Sequence, residues 1–220
     1  MAPKTKTAVT AKRRDTKSTL LYTLTLGVFL FLAAWIKIAG SLPFDIPLMT
    51  WLHAHAALSL DLFFRSITNF GGAEGAVILV GVAGVILLLK KSYSRLTFVL
   101  AGMAGTLVIN TILKALFHRD RPSLWPHLVD EAGYSFPSGH AMASMSLALI
   151  CIVLSWQTRY RWWVVVVAAV FVITIGVSRL YLGVHYPSDI ITGWCVSTVW
   201  IVVAALLVRP LSKKIASPHK

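Results

Sequence analysis

The chain has 220 residues, 57% of them hydrophobic and 13% charged, with a mean hydropathy of +0.74; this balance excludes a soluble globular domain and points to an integral membrane protein. A net charge of +13 would suit a nucleic-acid binder if the cations formed a basic domain, but they cluster at the ends of apolar runs, so no nucleic-acid partner is expected. Cys151 and Cys195 both fall inside apolar runs, which suggests neither a disulfide framework nor a thiolate metal site.

Residues 1–18 interleave Thr with Lys and Arg, the composition of a disordered basic cytoplasmic arm that can rest on anionic headgroups. Six uncharged runs follow at 20–36, 75–89, 96–113, 141–158, 162–178 and 190–208. Each approaches the roughly 17–25 residues a helix needs to cross about 30 Å of hydrocarbon, the second only if 70–74 join it. The expected fold is all-α and polytopic, with six transmembrane helices and short interfacial helices in the outer loops. Its parts are the arm at 1–18, a six-helix membrane domain at 19–210 and a basic cytoplasmic tail at 211–220. An outer-membrane barrel is disfavoured because the runs do not alternate apolar and polar residues. The first run exceeds a secretory h-region and lacks a small-residue cleavage site, so it reads as a retained span.

Between the first two runs, residues 42–70 mix Pro43, Pro47, Asp45, Asp61 and Arg65 with Trp51, Leu52, Phe63 and Phe64, which predicts one or two interfacial helices. His53 and His55 stand two residues apart, point to different faces of a helix and have no third ligand nearby, so they suggest no metal site. Gly71-x3-Gly75 and Ala101-x3-Gly105 have the small-residue spacing of close helix packing. Glu74 either faces water or contacts something polar in the bundle. Asn110, one helical turn before Lys114, either positions that lysine or bonds across to another helix.

Fifteen of the 21 Lys and Arg residues fall on one side of this six-span layout and six on the other. By the positive-inside rule both termini are expected in the cytoplasm, with the second side facing outward across the cell membrane. The outer side holds His118-Arg119-Asp120-Arg121-Pro122, Trp125-Pro126-His127, Asp130-Glu131 and Pro137-Ser138-Gly139-His140. His118-Arg119-Asp120 is an accidental match to a kinase catalytic loop, since no Gly-rich loop or Asp-Phe-Gly accompanies it. Pro137 to His140 opens the fourth run, where the free N–H groups of a helix N-terminus attract anions. Between the last two runs, Arg179 offers a planar cationic fork, His185 a nitrogen able to attack or carry a proton, and Asp189 a carboxylate able to hold that imidazole's tautomer.

In order and spacing these segments resemble the signature of the type-2 phosphatidic acid phosphatase superfamily. The matches are Lys114-x6-Arg121-Pro122, then Pro137-Ser138-Gly139-His140, then Ser178-Arg179-x5-His185-x3-Asp189. The resemblance implies a six-span membrane lipid phosphatase with its motifs at the outer ends of the third to sixth spans. It implies His185 as nucleophile forming a phosphohistidine, Asp189 as its partner and His140 as general acid and then base. It further implies Lys114, Arg121, Arg179, Ser138 and Gly139 as phosphate-binding residues. Three fixed cations suit the roughly −1.5 to −2 charge of a phosphoryl group, so neither metal nor cofactor is expected. The substrate class is a lipid phosphate or diphosphate such as phosphatidylglycerol phosphate or undecaprenyl diphosphate. The surplus of outer charge at His118, Arg119 and His127 places the diphosphate slightly ahead. A lipid phosphotransferase and a non-catalytic phosphate-lipid binding or transport protein are the alternatives. Two histidines argue against the latter, because binding alone requires neither a nucleophile nor a proton donor. Protein partners cannot be read from the sequence.

Overall fold

The computed structural model describes residues 5–215, with side chains described for Leu20 and residues 22–208; among these the secondary structure is entirely helical. The elements are α1 (Thr5–Ala39), α2 (Asp45–Ala54), α3 (Leu58–Thr68), a 3₁₀ turn at Asn69–Gly71, α4 (Ala73–Leu89), α5 (Tyr93–Phe117), α6 (Gly139–Ser155), α7 (Arg161–Tyr181) and α8 (Pro187–Ile215). Among the described residues, four helical segments are long and apolar enough to cross a membrane: Tyr22–Ala39, Tyr93–Phe117, Arg161–Tyr181 and Pro187–Val208. Leu58–Gly71 and Ala73–Leu89 add a fifth if this pair, bent by 49°, is taken as one span; Gly139–Ser155 is a shorter apolar helix. The 42–70 region forms two short helices, α2 and α3, in accord with its composition.

Where the sequence suggests a disordered arm, α1 instead begins at Thr5. Residues 5–18 contain no Gly or Pro and include good helix formers, so a helix nucleated in the apolar run can propagate back through them. The side chains of the arm, and residues 216–220 of the tail, lie outside the described residues.

Helix α6 packs against α7 and α8, α5 against α6 and α8, α1 against α8, and α4 against α5 and α6. Leu87, Phe98, Val99, Ile150, Ile201 and Ala204 form one buried cluster along these contacts. Leu107, Trp163 and Val167 remain 67%, 73% and 65% exposed, which would be costly in water and is ordinary against acyl chains. At Gly105 a Cβ would lie 2.0 Å from Cζ2 of Trp200, so only glycine lets α8 bring that indole against α5; Trp200 Nε1 then donates to the Gly102 carbonyl at 2.9 Å. The Gly71-x3-Gly75 pair does not act as one helix-packing face. Gly71 admits Ile175 of α7, whereas Gly75 closes on the backbone of its own turn at Asn69 and Phe70.

Candidate active site

The C-terminal ends of α5 and α7 meet the N-terminal ends of α6 and α8. Helix α5 stops at Phe117, and His118 takes a left-handed conformation (φ 49°) that turns the chain into the 118–138 loop. Helix α7 ends in a Schellman motif: Val184 N donates to Arg179 O at 3.2 Å and Gly183 N to Leu180 O at 3.1 Å, with Gly183 at φ 79°. Pro187, at the first position of α8, restarts the helix two residues after His185. The backbone thus presents Arg179, His185 and Asp189 from one tight corner. Trp125 of the 118–138 loop covers Gly183 and stacks on His53 of α2 at 4.1 Å between ring centroids.

Ser138 caps α6, its Oγ accepting from Ala141 N at 3.4 Å, while its own N–H donates to the Asp189 carbonyl at 3.3 Å. This ties the start of α6 to the start of α8. The Ser138 N–H is thereby committed, and the first-turn donors of Gly139 and His140 remain. Asn110 bonds away from its own helix, its Nδ2 donating to Pro137 O at 3.1 Å and to Met142 Sδ of α6 at 3.2 Å, so it braces the capping turn.

His185 is buried. Its Nε2 lies 3.2 Å from Nη1 of Arg121, and its Nδ1 lies 3.4 Å from Oδ2 of Asp189. A guanidinium has donors only, so the Arg121 bond requires Nε2 to be the unprotonated nitrogen and leaves the ring hydrogen on Nδ1, facing Asp189. Burial lowers the His185 pKa well below its ordinary 6.5, followed by repulsion from Arg179, Arg121 and Lys114, while a hydrogen bond to the Ser135 backbone opposes the shift. The imidazole is therefore neutral near pH 7. Arg121 is also lowered by burial, opposed by Glu131 and Asp189.

Arg179 and Arg121 are joined by a residue the sequence analysis left without a role. Glu131 accepts from Nη2 of Arg179, and its other oxygen lies 3.5 Å from Nη2 of Arg121. Arg179 also donates to Thr68 Oγ1 at 2.8 Å, and its buried Nε has no partner among the described residues. Lys114, in the last turn of α5, shares the field of Arg121, Glu131, Asp189 and Arg179. His140, half-buried in the first turn of α6, interacts electrostatically with Arg179, His185, Lys114 and Arg121. All eight residues singled out by the motifs thus lie around one corner. His140, Gly139 and Asn110 also line a cavity of about 580 Å³ that continues along Ala76, Val80 and Leu107 between α4, α5 and α6.

Several other readings change. Arg119 is buried and held by Asp45 at 3.0 Å and Asp189 at 2.5 Å. His118 packs edge-on against Tyr134, and His127 Nε2 pairs with Pro122 O at 2.6 Å. Of the charge surplus credited with meeting a second phosphate, Arg119 and the Nε2 of His127 are therefore already engaged, while His118 stays exposed. Carboxylates are nearer than the motifs suggested, since the fold brings in Asp45 and Glu131; no group of three or more His, Cys, Asp or Glu able to hold a metal occurs among the described residues. Glu74 is exposed in the first turn of α4, where a carboxylate favours the helix dipole.

Comparison with known proteins bears on the family and the fold. Residues 95–213 match the profile of the PAP2 superfamily. The chain is 29% identical over 141 residues to phosphatidylglycerophosphatase B of Bacillus subtilis, covering 61% of this chain and 68% of that protein. It is 25% identical over 191 residues to undecaprenyl-diphosphatase of Sulfolobus acidocaldarius, covering 82% and 87%. Its fold matches the crystal structure of the first transmembrane PAP2 type phosphatidylglycerolphosphate phosphatase from Bacillus subtilis with a TM-score of 0.76 at 25% identity, over 90% of this chain and 98% of that one. The profile spans more than half of the chain and contains all three motif segments, and the protein belongs to the PAP2 superfamily.

Proposed function

We propose that this protein is a membrane-embedded lipid phosphatase that removes the terminal phosphate of a lipid phosphate through a phosphohistidine at His185. The observation that carries the reading is the placement of His185 Nε2 as a bare acceptor 3.2 Å from Arg121, with Nδ1 towards Asp189. A nucleophile is thereby aimed into a cationic clamp. Arg121, Arg179 and Lys114, with the Gly139 and His140 N–H groups, bind the non-bridging oxygens as the phosphate takes the place of the Glu131 carboxylate. Ser138 holds the turn that presents those N–H groups. Nε2 attacks phosphorus, the bond to the lipid oxygen breaks, and His140 gives that oxygen a proton. His140 then takes a proton from water as the resulting hydroxide attacks phosphorus, breaking the P–N bond and freeing inorganic phosphate.

The apolar cavity beside His140 supports a lipid substrate, because it joins the clamp to the surfaces of α4 and α5 rather than to a polar cleft. The relatives act, by their names, on phosphatidylglycerophosphate and undecaprenyl diphosphate, and both lipid classes fit one terminal-phosphate clamp. With Arg119 and His127 engaged, the phosphate monoester takes precedence over the diphosphate.

Six crossings are part of the proposal. Helix α6 starts where α5 and α7 end, and α7 starts beyond the far end of α6, which supports a crossing even at 17 residues, roughly 26 Å. Helix α4, also 17 residues long, is the remaining span. The division of cations supports cytoplasmic termini and a site facing the outer side of the cell membrane. The test is phosphate release by purified protein in detergent from phosphatidic acid, phosphatidylglycerol phosphate and undecaprenyl diphosphate, with His185→Ala as blank. Release from at least one lipid is expected, and equal rates for a soluble phosphomonoester would end the lipid claim.

A further inference from the structure

Two charged residues buried behind His185 have no role in this mechanism. Arg119, on the loop after α5, is 8% exposed, and Asp45, in the first turn of α2, is fully buried. Nη1 of Arg119 donates to Asp189 Oδ1 at 2.5 Å and to Ser188 Oγ at 2.9 Å, and Nη2 donates to Asp45 Oδ2 at 3.0 Å. Asp45 also accepts from Ser188 N at 2.9 Å, Ser188 Oγ at 2.7 Å and Leu42 N at 3.0 Å. The Tyr186 ring lies 4.0 Å from the guanidinium carbon.

Burying such ions carries a large desolvation cost before pairing, so as a simple anchor for α2 the arrangement gains little over apolar packing. Its charge balance has a more specific consequence. Two carboxylates and one guanidinium leave a single net negative charge, and the oxygen of Asp189 not bound by Arg119 is the one near Nδ1 of His185. Without Asp45, the Arg119–Asp189 pair would be neutral. Without Arg119, two like charges would share a buried site and one would take up a proton.

We propose that Asp45 and Arg119 are positioning residues for phosphoryl transfer: they hold Asp189 ionised, turn its Oδ2 towards Nδ1 of His185 and supply one net negative charge behind the imidazole. The inference rests on His185 being the nucleophile. As Nε2 bonds to phosphorus and the lipid oxygen leaves with the proton of His140, the ring keeps its Nδ1 hydrogen and becomes cationic. The charge behind it compensates that cation. Arg121, Arg179, Lys114 and His140 face the ring from the other elements and are unchanged by substitutions at 45 or 119.

The experiment compares wild type, Asp45→Asn, Asp45→Glu, Arg119→Lys and His185→Ala on phosphatidic acid in mixed micelles, with kcat and KM measured from pH 5 to 8. Asp45→Asn and Arg119→Lys are expected to lower kcat by about 10–100-fold, the usual effect of losing an orienting partner, with KM within about threefold because the phosphate clamp is intact. In Asp45→Asn the acid limb of kcat/KM should move to lower pH, since an imidazole backed by less negative charge protonates less readily; Asp45→Glu should return it towards wild type. A structural defect would reduce active protein without moving that limb. An unchanged kcat with an unmoved limb, or an effect on KM alone, overturns the proposal. If Asp45→Asn does not fold, Arg119→Lys decides: a loss in kcat without a KM change supports the proposal, and wild-type kcat refutes it. His185→Ala separates the two levels, because activity retained there removes the nucleophile itself, whereas an inactive His185→Ala beside a fully active Asp45→Asn refutes only the positioning role.

Discussion

In the proposed mechanism Glu131 must leave the clamp before a phosphate can enter, so Glu131→Gln should tighten substrate binding although it removes a charged residue from the site. The carboxylate bridges Arg179 and Arg121, and its side chain is 23% exposed. A hydrogen bond to a charged partner contributes roughly 1.5–3 kcal/mol when buried. Partial exposure and the acceptor oxygen that Gln retains reduce the difference to about 1–2 kcal/mol. That free energy opposes phosphate binding in the wild type, because only the fraction of molecules with an open clamp is competent. Its removal corresponds to roughly 5–30-fold in affinity. The assay is KM for phosphatidic acid in mixed micelles together with inhibition by inorganic phosphate, which reports on the clamp without the lipid tail. Both constants should fall, with kcat within about threefold of wild type. A KM and inhibition constant equal to or above wild type would mean that Glu131 supports the loop and does not compete with the substrate.

His185→Ala should lower turnover by at least about 10³-fold and His140→Ala by about 10²–10⁴-fold, both in protein that remains folded. Acid-labile phosphoenzyme trapped from wild type and missing from His185→Ala is the matching observation, and near wild-type activity of His185→Ala would sink the mechanism. Stability should fall as pH drops below 6.5: the folded pKa of His185 is depressed, so the unfolded chain binds the proton first, and the contribution is complete above 6.5 and lost progressively below it. Thermal unfolding in detergent between pH 7.5 and 5 should therefore show a shallower slope for His185→Gln than for wild type, and identical slopes would contradict this. Activity should persist in excess chelator because Lys114, Arg121 and Arg179 supply the charge a metal would; loss restored by Mg²⁺ would reveal a missed site. A cysteine introduced by Ser123→Cys in a background without Cys151 and Cys195 should react with an impermeant thiol reagent on spheroplasts, and protection until lysis would invert the topology.

The helices and the motif-bearing corner were legible because they depend on local signals. Long apolar runs set the helices, Gly183 and Pro187 mark the end of α7 and the start of α8, and Pro137-Ser138 marks the cap of α6. What escaped was carried by pairings distant in sequence. Asp45 meets Arg119 across 74 residues and Thr68 meets Arg179 across 111, and neither short helix α2 nor α3 advertises its partner. Glu131 stood in an apparently generic acidic pair, Asp130-Glu131, in a loop whose course is fixed by Trp125 against His53 and by Arg121 donating to the carbonyls of Gly133, Ala132 and Val184. Arg119 was misjudged for the opposite reason. Charge counted along the sequence looked like free capacity for a second phosphate, whereas burial between two carboxylates neutralises it.

The electrostatic layout around His185 gives the proposed chemistry a direction. Arg121 meets Nε2 and is tied through Glu131 to Arg179, which with Lys114 adds to the positive field at the ring; on the Nδ1 side stands Asp189, part of the Asp45–Arg119–Asp189 group with one net negative charge. Burial, and then repulsion from Arg179, Arg121 and Lys114, keeps the ring neutral and its Nε2 lone pair available. An arriving phosphate of about −1.5 to −2 displaces a carboxylate carrying only −1, so the net positive charge of the clamp falls from about +2 to about +1 to +1.5. Once it is bound, positive charge on the ring is opposed less from the front and is favoured from behind, which eases acceptance of the phosphoryl group by Nε2. A phosphodiester lipid carries a single negative charge, so it gains less from the exchange with Glu131. The clamp therefore discriminates by charge among headgroups that the bilayer presents at similar depth, before chemistry begins.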